Sequence, residues 1–152
     1  MPIIKTLKNG QWTPVNSVTS LATATPSTAG LMSASDKTKL DNNPVTLWEN
    51  PNSAVDFNAQ TITLNDDASN YRFYYIEYKM HKDYTKYLST GLIPSNLGTT
   101  LVGAKNVLVN RDVGEPTGTS LAFADAISWE YRGGELQHNN TYIIPVRVRG
   151  IK

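Results

Sequence analysis

Three clusters in this 152-residue chain hold side chains of the kind that do chemistry. Asp56 and the pair Asp66-Asp67 offer carboxylates, with which a glycosidase would protonate and attack a glycosidic bond. "KMHKDYTKY" sets His81, Asp83, Tyr84 and Tyr87 at or beside a turn. "SWEYRGGELQHNN" brings Trp129, Glu130, Tyr131 and Arg132 toward a Gly-Gly turn, with Gln137, His138 and Asn139 behind them. Aromatic faces that stack on sugar C–H surfaces, flanked by hydrogen-bonding side chains, are the means of holding a saccharide. His81, Asp83, Tyr84, Trp129, Tyr131, Arg132 and His138 are therefore the saccharide-binding candidates.

Each cluster also has a plainer reading. Asp66-Asp67 lies in "NDDASN", where Asp ordinarily bonds its own turn backbone, so the glycosidase pair is not expected. For any one of the saccharide candidates a core or plain surface position is the stronger reading, with Trp129 in the core and Tyr131 its neighbour on the opposite strand face. Neither histidine has a partner at metal-ligand spacing. The chain has no serine-nucleophile elbow, phosphate-cradling glycine loop or zincin signature. With no cysteine, thiolate metal sites, disulfides and cysteine nucleophiles are excluded. The residues point away from an enzyme and toward a binding protein without cofactor or metal.

Composition narrows the partner. The formal net charge is +1, whereas nucleic-acid binding asks for a concentrated basic face. No stretch approaches the roughly 18 apolar residues of a membrane span. "MPIIKTLKNGQW" lacks the apolar core and cleavage site of a secretory signal. Charged residues are only 18%, and the abundance of Thr, Ser, Asn and Tyr suits β structure.

The elements that would position these clusters fall into three stretches. In 1–18, Asn9-Gly10 is a strong signal for a type I′ hairpin turn, with Ile4, Leu7, Trp12 and Val15 around it. The stretch 19–44 is rich in Ser, Thr and Ala, a composition ordinary for a linker. Ser33 and Asp36 nevertheless have capping-pair spacing, with Ser35 a rival N-cap, and "ASDKTKL" can form a short helix ending before Pro44. The stretch 45–152 reads as seven short strands, "VTLWEN", "AQTITL", "NYRFYYIEYKM", "YTKYLS", "TTLVGAKNVLVN", "SLAFADAISWEYR" and "TYIIPVRVRGIK", separated by turn clusters including "RGGELQHNN". A sandwich or jelly-roll-like pair of sheets is expected. In the third run Tyr74, Ile76, Tyr78 and Met80 share one face and Phe73, Tyr75 and Glu77 the other, the pattern of a central strand covered on both sides.

The short helix needs support, because isolated helices below about 12 residues are marginal. Its context, "STAGLMSASDKTKLDN" from Ser27 to Asn42, closely resembles a segment of tail-fibre and receptor-binding proteins of tailed bacteriophages that joins a shaft to a C-terminal head. "LWENPNSAVDFNAQTITL" resembles the first strands of a head family common in phages of Gram-positive hosts. "NNTYIIPVRVRGIK" resembles that family's Pro-containing last strand. The likeness runs from Ser27 to the C-terminus, loosely in its middle, and departs from the family near Arg149, where an aromatic residue is more usual.

The resemblance implies an all-β, jelly-roll-like β-sandwich head with a short N-terminal hairpin and a short helical stem, homotrimeric. The three parts would be an attachment hairpin (1–18), a linker and stem (19–44) and a receptor-binding head (45–152). The helix would pack on its two symmetry mates, burying Leu31, Met32 and Leu40 at about 1.5–3 kcal/mol for each fully buried side chain. Ile3, Ile4, Leu7 and Trp12 would dock on other tail proteins or pack across the trimer. The implied function is a phage tail adhesin, made in the host cytoplasm and carried at the tail tip or baseplate, that recognises a host cell-wall saccharide. A purely structural baseplate or tail-tip component with the same head is the alternative. A tail-borne hydrolase and a free-standing carbohydrate-binding module are further readings.

Overall fold

The computed structural model describes residues 5–14, 25, 27, 32–41, 43–104, 108–132 and 135–152, giving backbone alone for 5–8, 12–14, 104, 129–132 and 135–136. The chain divides into two units, Met1–Asn42 and Asn43–Lys152. In the first, β1 (Lys5–Lys8) and β2 (Gln11–Pro14) pair antiparallel with Lys8 opposite Gln11. Asn9 and Gly10 have φ of 52° and 76°, the positive values that a type I′ turn requires at both positions.

Helix α1 (Ala34–Asp41) is held by its own neighbours. Ser33 is the cap: the Asp36 amide donates to Ser33 Oγ at 3.0 Å, and that hydroxyl donates to the Asp36 carboxylate at 2.7 Å. The hydroxyl of Thr38 donates to the Ala34 carbonyl at 2.9 Å, and Lys37 pairs with Asp41 four positions on. The helix buries no side chain, and Met32 and Leu40 are 40% and 62% exposed. Leu31, Ile3 and Ile4 lie outside the described residues, as do the side chains of Leu7 and Trp12.

The second unit is all-β, with two five-stranded antiparallel sheets in a sandwich-like arrangement around one core. The first sheet orders β3 (Val45–Glu49), β12 (Tyr142–Ile151), β5 (Phe73–His81) and β6 (Leu88–Ser89), with β7 (Ile93–Pro94) also on β5. The second orders β11 (Glu135–His138), β10 (Ser120–Arg132), β9 (Leu108–Val113) and β8 (Thr99–Ala104), with β4 (Gln60–Thr63) also on β10. The core includes Leu47, Ile76, Ile144 and Val148 from the first sheet and Leu101, Val109, Leu121 and Phe123 from the second.

Three expectations change. The run Thr99–Asn110 is not one strand but most of a hairpin, β8 and β9, paired from Thr99↔Val113 to Ala104↔Leu108. "RGGELQHNN" is not all turn, because Glu135–His138 pairs with β10 as β11. Strand β5 is central, with Tyr74, Ile76 and Tyr78 buried, but Phe73, Tyr75 and Glu77 on its other face are only partly buried among the described residues. Glu77 there accepts from Arg147 at 3.1 Å and stands 3.3 Å from Arg149.

Pro145 sits inside the central strand β12, where it cannot donate to a ladder. The β12–β5 register shifts between Pro145 and Arg147, which is the bulge that makes Pro tolerable there. A second irregularity skips Leu47 between the pairs Val148↔Trp48 and Arg149↔Thr46. A bulge sets two consecutive residues against one, so both Leu47 and Trp48 reach the core.

Candidate functional site

Trp48 owes its position to that bulge. Its ring lies edge-on to Phe57 at 6.2 Å and 6.2 Å from Phe123, and Phe57 meets Phe123 edge-on at 5.4 Å. Phe57 and Phe123 are buried, whereas Trp48 is only partly so. Its remaining surface lines an open groove of about 340 Å³ with Asn50, Asn52, Val55, Asp56, Gln60 and Thr61. Asn50 is fixed from both sides: its amide donates to the Pro145 carbonyl at 2.8 Å and its oxygen accepts the Asn52 N–H at 2.9 Å. Asn52 in turn accepts the Ala54 N–H at 3.1 Å. The rim is thus a chain of Asx-type turns that leaves amides and one carboxylate beside an aromatic floor.

Asp56 ties the groove to the "KMHKDYTKY" cluster. Its carboxylate takes a 2.8 Å bond from Lys82 Nζ, and that contact raises the Lys82 pKa. Beyond Lys82 stand the candidates His81, Asp83 and Tyr84. The His81 ring lies 5.7 Å from Tyr84 and 4.9 Å, edge-on, from Tyr142. His81 Nδ1 accepts the Asp83 N–H at 3.3 Å, with the Asp83 carboxylate 3.4 Å away. The turn is anchored from below by Lys79, a buried residue whose ammonium donates to the Lys82 carbonyl at 2.7 Å, and from the side by the Lys82 N–H on Thr141.

His138 belongs to the same end of the molecule. Its Nδ1 is 3.3 Å from the Asp125 carboxylate. Asp125 accepts the Ala59 N–H and the Asn140 amide, both at 2.7 Å, and these bonds hold its pKa below the usual carboxylate value. Asn140 also donates to Asn58 Oδ1 at 3.1 Å, and its carbonyl accepts the Phe57 N–H at 3.0 Å.

Arg111, fully buried, joins these loops from inside. Its guanidinium donates to the carbonyls of Phe57 at 2.6 Å, Ile143 at 2.9 Å and Ala124, and to Asn140 Oδ1 at 3.3 Å. It also lies over the Phe57 ring, 5.1 Å from the centroid. Burial pulls its pKa down to about 10, partly offset by Asp125. Ile143 is one of the strands' least comfortable residues, with φ of 51°, an outlier for a β-branched side chain. Its carbonyl is held by Arg111.

The "SWEYRGGELQHNN" cluster is divided. Residues Trp129, Tyr131 and Arg132 lie on β10, and the register pairs Ile127 with His138 but Arg132 with Glu135. At about 3.3 Å per residue, the backbone of Arg132 is about 16 Å along the strand from the His138 level. The side chains of Trp129, Tyr131 and Arg132 are outside the described set. Asp66 and Asp67 serve their turn: Asp67 caps the 3-10 segment Ala68–Asn70 through Ser69, and Asp66 accepts from Tyr71 at 3.0 Å and Asn70 at 2.9 Å.

Sequence reasoning missed Trp48, Asn52 and Gln60 as site residues. The signal available was Leu47-Trp48 followed by "ENPNS", an aromatic directly before an Asn-rich turn. No helix among the described residues is long and apolar enough to cross a membrane, and no group of three or more His, Cys, Asp or Glu there is placed to hold a metal ion. Comparison with known protein families, characterised proteins and solved structures finds no match.

Proposed function

We propose that the chain is a non-enzymatic adhesin of a bacteriophage tail whose jelly-roll-like head binds a saccharide of a Gram-positive cell wall. The observation that carries this reading is the groove on Trp48, an aromatic floor rimmed by Asn50, Asn52, Asp56, Gln60 and Thr61. Half-buried aromatic surface beside fixed amides suits the alternating C–H and hydroxyl surface of a sugar ring. Asp56 is the one carboxylate lining the groove, and glycoside hydrolysis works with a pair flanking the bond. That favours binding over cleavage.

The remaining parts come from the resemblance around "STAGLMSASDKTKLDN". Three copies associate through the stem, the N-terminal hairpin attaches to other tail proteins, and the heads face the cell from the tail tip or baseplate. Leu40, exposed on α1, and Met32, exposed just before it, support a helix that finds its partners in other copies. Val102 and Leu108, each 49% exposed on adjoining strands, give the head an apolar surface for the same association. Trivalency would raise weak single-site affinity without new contacts.

The test is titration of the protein with purified Gram-positive wall polysaccharide, read by tryptophan fluorescence and calorimetry. Wild type binds, and Asn52→Ala and Gln60→Ala weaken binding while melting as wild type does. Absence of binding to any wall polysaccharide would instead favour a purely structural tail component. Release of reducing ends would favour a hydrolase. Light scattering reads the mass, and a monomer would overturn the stem.

A further inference from the structure

The groove on Trp48 is small. At about 340 Å³ it stands at the low end of ligand pockets, roughly 300–1,000 Å³, and accommodates about one sugar ring. Its polar rim does not stop at Asp56. The Asp56–Lys82 pair leads onto the His81–Tyr84 turn, where Tyr84, His81 and Tyr142 form a second, partly exposed aromatic group. The pair has hydrogen-bonding capacity to spare: Lys82 Nζ has three protons and spends one on Asp56 Oδ1. Asp56 is the charged residue among the described residues that line the groove, and Lys82, bonded to it from beside the groove, cancels its charge.

We propose that the site is extended, with one subsite over Trp48 and a second over the His81–Tyr84 turn, bridged by Asp56 and Lys82, and that its ligand is an uncharged oligosaccharide of at least two residues. This rests on the saccharide reading and adds to it the length and charge of the ligand. The first ring stacks on Trp48 against the amides of Asn52 and Gln60. The linkage passes over the Asp56–Lys82 pair, which offers both an acceptor and donors. The second ring meets the Tyr84–His81 surface. Asp56 and Asp83 outnumber Lys82 along the site, which therefore carries no net positive charge to hold a phosphate and favours a neutral ligand.

The experiment uses the full chain and neutral oligosaccharides released from Gram-positive wall polysaccharide, fractionated by length, with a phosphorylated fraction alongside. Calorimetry of wild type should give a dissociation constant about tenfold lower for the disaccharide than for the monosaccharide, with weaker binding of the phosphorylated fraction. Tyr84→Ala and, separately, Lys82→Met should remove that gain, each lowering disaccharide affinity more than monosaccharide affinity. Asn52→Ala should weaken every length. Thermal melts confirm folding, and Lys82→Met, altering a surface group, keeps the test open if Tyr84→Ala does not fold. Equal affinity for all lengths, equal loss at all lengths in the two turn variants, or preference for the phosphorylated fraction would overturn the extended neutral site while leaving saccharide binding in place. Failure of every fraction to bind would overturn both.

Discussion

Helix α1 and Arg111 on strand β9 are stabilised over opposite distances along the chain. The bonds described above for α1 span three or four residues, as from Ser33 to Asp36 and from Ala34 to Thr38. Arg111 reaches acceptors 13 residues away at Ala124, 32 away at Ile143 and 54 away at Phe57. The first arrangement specifies a shape without burying anything. The second holds the loops that carry the groove. Local bonds place a segment where a partner can find it, whereas long-range bonds set the geometry that binding requires.

Arg111→Met should break that contrast hardest. The carbonyls of Phe57, Ala124 and Ile143 would lose their donor in the interior, and each unsatisfied buried polar group costs about 1–3 kcal/mol. A loss of about 4 kcal/mol is expected in urea unfolding. The strain at Ile143 would lose its restraint as well. Phe57 supports Trp48, so residual folded protein should also bind saccharide more weakly. A loss under 1 kcal/mol would mean that these carbonyls find water, and that Arg111 is not what holds the loops.

Gly150→Ala comes next. A Cβ at Gly150 would run into the Tyr71 ring, and overpacking of this kind costs about 1–3 kcal/mol. Tyr71 is buried and its hydroxyl donates to Asp66, so the ring cannot swing away without losing that bond. Thermal melting should fall by several degrees with the groove unaffected, since Gly150 pairs Val45 and Tyr74 on the first sheet, away from Asn50–Ile62. Loss of saccharide binding in this variant at full folding would show the two regions to be coupled.

What was legible follows the same division. Asn9-Gly10 and the Ser33–Asp36 pair are readable because their chemistry closes within four residues. The β character of 45–152 is readable because Val, Ile, Thr and Tyr carry it residue by residue. The break between β8 and β9 was not read, although "GAKN" falls inside the run. Nor is β11 legible, a polar four-residue strand made by its pairing with Ile127, Ser128 and Arg132 of β10. Arg111 in "LVNRDV" looks like an ordinary solvent-facing charge, since its acceptors lie on loops that only the fold assembles. Trp48 reads as a strand residue and not as a site residue, because the bulge that turns it arises from register against β12. Tyr84 and His81, placed at a turn by sequence, do adjoin the groove, and the link through Asp56 and Lys82 is visible only in three dimensions.

Acid should act on both regions, with a different consequence in each. Asp36 has its pKa lowered by the Ser33 hydroxyl and then by Lys39, and Asp66 by Asn70 and then Tyr71. Asp125 is lowered by the Ala59 amide and then Asn140. A carboxylate with a depressed folded pKa contributes stability that is complete above its unfolded value, near 3.8, and is lost as pH falls through the folded value. Melting temperature should therefore be flat from pH 7 to about 5 and decline below 4. Asp125→Asn should flatten part of that decline, because its carboxylate accepts the Ala59 N–H and the Asn140 amide together. An unchanged acid limb in Asp125→Asn would place the loss in other carboxylates.

The smallest effect expected is Ser33→Ala, and it separates the two regions most sharply. It removes the hydroxyl that accepts the Asp36 amide and donates to its carboxylate, and loss of such a cap costs about 1 kcal/mol of helix stability. No described core residue lies before Leu47, so urea unfolding of the two sheets should be unchanged. The change should appear instead as faster amide exchange over Ala34–Asp41 and, through the stem, as weaker self-association on dilution. Leu40→Asp should weaken association further, because it removes the apolar surface itself rather than the frame presenting it. If Ser33→Ala lowered the unfolding midpoint of the sheets, α1 would be a structural part of the body. If neither variant altered the mass on dilution, the exposed Leu40 would belong to some other contact than a stem.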